Sequence, residues 1–193
     1  VYNEANDYFV TNIPGEITLN STSTFETGRG YAIRGMERFG DVFTDNEFSF
    51  NGKINNGQLF SPALKNSCNV ENACDKGYNL IGNPYPSSLD FDALYAANSD
   101  RMYATAYFWT NSDTKVLQQS GSNYDGNNYA VYNLSGGTQP VEIDQNTENY
   151  KKAPNGIVKL GQGFIIKAKV AGKGQPVEFN NSMRRGYDAG AEF

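Results

Sequence analysis

Short runs of alternating apolar and polar residues recur from one end of the chain to the other, most of them bounded by Gly, Asn or Pro. A period of two puts successive side chains on opposite faces of an extended strand, and the bounding residues supply the turns. Residues 16–19, 31–34, 47–50, 58–60, 78–81, 104–109, 129–132, 156–159, 164–167 and 176–179 therefore read as strands. One segment departs from this period, and its spacing predicts a helix near residues 88–98. Leu89, Ala93, Leu94 and Ala97 fall on one helical face, Ser87 with Asp90 three residues on approaches a capping box, and Asn98 suits a left-handed C-terminal position. The whole pattern predicts an all-β domain, a β-sandwich of jelly-roll type, with one short helix over an end of the sheet.

Two of the strand signals echo each other. Gly28-Arg29-Gly30-Tyr31-Ala32-Ile33-Arg34 and Gly161-Gln162-Gly163-Phe164-Ile165-Ile166-Lys167 both read Gly-x-Gly-aromatic-x-Ile-basic, and Phe48-Ser49-Phe50-Asn51 is answered by Val177-Glu178-Phe179-Asn180. Either glycine turns before alternating strands recur by chance, or the two strand pairs occupy equivalent places. Neither tract is a dinucleotide fingerprint, because the third glycine position holds Ile33 in one and Ile166 in the other.

Composition narrows the functional class. A chain of 193 residues fits one domain with a real core, here expected to be a piece of a longer protein. Aromatics make up 13% of residues and charged groups 19%, which suits strands and polar turns and excludes a disordered chain. The net charge is −5 without a basic run, which argues against a nucleic-acid partner, and no apolar run reaches the length of a membrane span. Cys68 and Cys74 flank a polar, turn-rich stretch. Two thiols and no histidine make a poor zinc site, and the spacing is not Cys-x-x-Cys, so a disulfide clasping a loop is expected, and with it an oxidising compartment.

The lack of histidine also removes the commonest general base and the Ser-His-Asp and Cys-His arrangements. Carboxylate catalysis needs only two placed acids. The closest pair, Asp90 and Asp92, falls at the start of the expected helix, where acidic residues are favoured by the helix dipole. No catalytic residue and no required cofactor is assigned. Calcium is the cation to consider, at Asn123 and Asp125 in a Gly/Asn-rich turn or at the oxygen cluster Asp41, Asp45 and Glu47. In the most aromatic strand, alternation puts Tyr103, Thr105, Tyr107 and Trp109 on one face and Ala104, Ala106 and Phe108 on the other. Core burial of the lone Trp109 is the default. Exposed, Tyr103, Tyr107 and Trp109 would instead form a platform for sugar rings.

The block Gly77-Tyr78-Asn79-Leu80-Ile81-Gly82-Asn83-Pro84-Tyr85-Pro86-Ser87 resembles a segment of large secreted proteins of Bacteroidetes-type bacteria that lies just before a C-terminal type IX secretion sorting domain. Gly28-Arg29-Gly30-Tyr31, Asn55-Asn56-Gly57, Ala106-Tyr107-Phe108-Trp109, Gly161-Gln162-Gly163-Phe164 and Phe179-Asn180-Asn181-Ser182-Met183-Arg184 follow in matching order, so the resemblance spans residues 28–184. It implies export, location at the cell surface or outside the cell, and an accessory role in an adhesin or secreted enzyme. The expectation is a non-catalytic structural or adhesive module. A glycan-binding module, with or without calcium, is the first rival and a carboxylate glycosidase the second. Expected partners are a surface glycan or protein.

Overall fold

The computed structural model describes residues 1–33, 49, 51–109, 129–139 and 153–186. Its centre is a five-stranded antiparallel sheet. The strands, in spatial order, are β10 (Gly136–Thr138), β9 (Tyr129–Asn133), β8 (Met102–Trp109), β12 (Gly163–Ala168) and β6 (Tyr78–Gly82). β8, β9 and β10 form a meander, and β12 enters late in the chain between β8 and β6. Ile165 consequently pairs with Tyr107 on one side and Leu80 on the other.

A second layer covers one face of this sheet. It contains α1 (Phe91–Asn98), the pair β5 (Leu59–Ala63) with β13 (Pro176–Phe179), and a small sheet with β7 (Ser88–Asp90) between β11 (Ile157–Val158) and β14 (Arg184–Arg185). The core lies between the layers: Ile81, Ala106, Phe108, Ala130, Phe164 and Ile166 from the sheet meet Leu89, Phe91, Leu94, Val158, Val177 and Phe179. Phe91 stands edge-on to both Tyr132 and Phe164, at 5.9 and 6.2 Å between ring centres. Burying Phe91 and Leu94 contributes about 1.5–3 kcal/mol each, which is what holds so short a helix.

The all-β class with one helix agrees with the pattern along the chain, while the arrangement is more specific than expected. The second layer is a helix with short sheets, and no jelly-roll order is found among the described strands. The helix also starts later than its capping signal suggested. Ser88–Asp90 is a strand because β11 and β14 pair with it from both sides, and Asp90 is the N-cap, accepting from the Ala93 amide at 3.0 Å. Asn98 does not turn left-handed: Ser99 follows in a right-handed conformation, and the Asn98 side chain is buried.

The two glycine tracts run along opposite edges of one strand. Phe164 lies opposite Ile81 across the β12 edge of β6, and Arg29 bridges Ile81 from the other edge. A Cβ on Gly82 would sit 2.7 Å from the Arg29 carbonyl oxygen, so this crossing requires glycine. The tracts are not equivalent, because β12 continues as a central strand whereas residues 31–33 form none. Of the second echo, Phe48 and Phe50 lie outside the described residues.

The Gly82-Asn83-Pro84-Tyr85-Pro86 block is a rigid connector from β6 to β7. The Asn83 amide donates to the carbonyls of Ser87 and Lys159 at 2.8 and 3.0 Å, and its oxygen accepts from the Tyr85 amide at 3.1 Å. Tyr85 is buried against Phe179, donates to the Gly57 carbonyl at 2.6 Å, and carries the Arg184 guanidinium 5.4 Å above its ring. Both X–Pro bonds are trans.

At the N-terminal end are two small hairpins, β1 (Tyr2–Asn3) with β2 (Tyr8–Phe9), whose β1 lies beside β6, and β3 (Asn12–Ile13) with β4 (Ile17–Thr18). Only the second of these contains an expected strand.

Candidate functional site: an aromatic sheet face

Alternation in β8 sends Met102, Ala106 and Phe108 into the core and Thr105, Tyr107 and Trp109 to the opposite face. Register extends that outer face over its neighbours. Tyr129 lies opposite Trp109, Val131 opposite Tyr107, and Leu80 opposite Ile165, with Tyr78 opposite Lys167. The face therefore carries Tyr129, Trp109, Tyr107 and Tyr78, with Val131, Ile165 and Leu80 between the rings.

Trp109 is 37% exposed, which overturns the expectation that the single tryptophan fills the core. The core space is taken instead by Phe91, Phe108 and Phe164. Trp109 meets Tyr129 edge-on at 5.1 Å. Tyr107 meets Tyr78 edge-on at 5.8 Å, reaching across β12, whose Ile165 is only 7% exposed although it points away from the core. Tyr107 and Trp109 are two residues apart on one strand, which spaces them by about 7 Å.

Among the described residues, charge gathers at the Tyr78 end of the face. Lys167 lies 5.0 Å from the Tyr78 ring centre and pairs with Asp75 at 3.0 Å, and Asp75 also accepts from the Tyr78 hydroxyl at 2.9 Å. Burial, reinforced by Asp75, pushes the Tyr78 phenol well above its ordinary value, so it remains a neutral donor. Tyr2 lines one cavity with Tyr78 and Leu80 and is likewise raised, first by burial and then by Asp7.

Tyr103, the third expected platform residue, has another task. Its hydroxyl donates to Glu71 and, at 3.0 Å, lies against Asn72 Oδ1, while Lys169 sits 5.8 Å from its ring centre. Glu71 and Asn72 lie in the loop closed by the Cys68–Cys74 disulfide, as expected from the cysteine spacing. Glu71 also accepts from the Val170 amide at 2.9 Å, so Tyr103 anchors the disulfide loop to the sheet.

Asp90 and Asp92 are engaged structurally. Asp90 caps α1 and pairs with Arg185; Asp92 accepts from Tyr132 at 3.0 Å. The expected cation ligands Asp41, Asp45, Glu47, Asn123 and Asp125 lie outside the described residues. Among the described residues no group of three or more His, Cys, Asp or Glu is placed to hold a metal, and no helix is long and apolar enough to cross a membrane.

Sequence reasoning placed Tyr107 and Trp109 on one side of their strand but did not join Tyr78 and Tyr129 to them. The signal was present in the period-two pattern of β6 and β9, whereas the pairing that joins them to β8 is long-range.

No curated protein and no solved structure matches this chain. A family described as a domain of unknown function, DUF8693, matches it over residues 1–193. The chain thus belongs to the DUF8693 family.

Proposed function

We propose that this chain is a non-catalytic adhesive module of a secreted or cell-surface protein, and that it meets its ligand on the outer face around Trp109. Four rings on the side of the sheet turned from the core carry this reading. Tyr and Trp combine a large apolar surface with a polar edge at low entropic cost, which favours them in recognition surfaces. Sugar rings present C–H faces to such aromatics and hydroxyls to their polar edges, so a glycan is the ligand class that fits. The residues give no support to hydrolysis, since histidine is absent and Asp90 and Asp92 are held in structural bonds.

The disulfide and the exposed position of Cys74 suit an oxidising compartment. The likeness of residues 28–184 to the segment before type IX sorting domains supports export by that route, with flanking domains supplying any enzymatic activity. A broad glycan array run with and without a calcium chelator tests the proposal. Reproducible binding to a defined glycan set without hydrolysis is expected; an array without signal, or cleavage of the bound glycan, contradicts it. Loss of signal on chelation assigns a cation to the site.

A further inference from the structure

Residues 1–19 are joined to the rest of the domain chiefly by carboxylates. Glu4 is 4% exposed and accepts from the Ser67 amide at 2.8 Å, the Ser67 hydroxyl at 2.5 Å and the Gly77 amide at 2.7 Å. Asp7 pairs with Lys76 and accepts from Tyr2 at 3.0 Å. Glu16 pairs with Lys65 and, at 2.9 Å, with Arg29, which also holds Glu26 at 2.5 Å. Apolar anchoring is slight: within this segment only Val1 is a buried apolar residue, and it stands outside the main core cluster.

We propose that residues 1–19 form a strap over the β6 end of the sheet, latched by Glu4, Asp7 and Glu16, which opens in acid while the two-layered core stays folded. Burial alone would raise the Glu16 carboxyl, but hydrogen bonds and charge from Lys65 and Arg29 hold it below its ordinary value. Its contribution is therefore present above the ordinary carboxylate range and disappears as pH falls through that range and the lowered value. Among the described residues, the other charges near the latches are engaged. Lys76 lies next to Asp75, Glu26 is taken by Arg29, and the Val1 ammonium, near Arg29, donates to the Val10 carbonyl. Opening uncovers the cavity that Tyr2 lines together with Tyr78 and Leu80.

Hydrogen exchange read by mass spectrometry on the 193-residue chain, corrected for intrinsic rates, tests this independently of any ligand. Between about pH 7 and about pH 3, peptides within residues 1–19 should lose severalfold protection while residues 163–168 keep theirs. Glu4→Gln should open the strap at neutral pH, and Asp100→Asn, remote from it, should not. Should Glu4→Gln unfold the core, the Asp7→Asn/Glu16→Gln double variant carries the same test. Retained protection of residues 1–19 in acid, or loss in step with β12, overturns the proposal.

Discussion

The side chain of Asn98 exchanges two hydrogen bonds with the backbone of Glu178, as a neighbouring strand would. Its oxygen accepts from the Glu178 amide at 2.8 Å and its nitrogen donates to the Glu178 carbonyl at 2.9 Å, with a further bond to the Leu94 carbonyl at 2.8 Å. One carboxamide closes the end of α1 and satisfies the edge of β13. Asn98→Leu leaves a buried amide and carbonyl unpaired and should cost about 2–4 kcal/mol, read as a lower urea midpoint at unchanged slope.

The disulfide should stabilise its loop more than the whole fold. Closing a loop of this size removes chain entropy worth about 2–3 kcal/mol in the polymer treatment. A Cys68→Ser/Cys74→Ser variant should remain folded, with exchange rising first at residues 69–75 and at the Val170 amide, which loses its Glu71 acceptor. Equal loss of protection across β12 would show that the clasp supports the entire domain.

Tyr132 gives an alkaline signature. Burial, reinforced by Asp92, pushes its phenol up to about 12 from an ordinary value of 10.0. The folded state therefore holds this proton more tightly than the unfolded state. The stabilisation is complete below the ordinary value and is lost as pH rises through 10 towards about 12. Phenolate absorbance should show late-ionising tyrosines, and Asp92→Asn should bring one of them down in pH.

Strand positions were legible in β6, β8, β9 and β12, whereas the expected strand at residues 31–34 is not one over its described residues 31–33. The two- and three-residue strands were not, since β7 is a strand only because β11 and β14 pair with it, and its Ser-Leu-Asp reads locally as a helix start. Of the aromatic face, the two sides of β8 could be assigned but not which side is buried. The larger set, Tyr103, Tyr107 and Trp109, looked like core, yet Phe91 from α1 fills that space and selects the side with Ala106 and Phe108. The anchoring roles of Tyr103 and Glu4 had no local signal, because their partners lie 31 and 63 residues away or more.

Paired ligand titration and thermal melting of Trp109→Ala against the unaltered chain, on the strongest glycan from the array, test the aromatic-face assignment most directly. An exposed platform residue at a strand end should lower affinity at least tenfold while changing stability by less than about 1 kcal/mol. Undiminished affinity, or a stability loss of about 3–5 kcal/mol of the kind seen for large aromatics removed from interiors, would contradict the account.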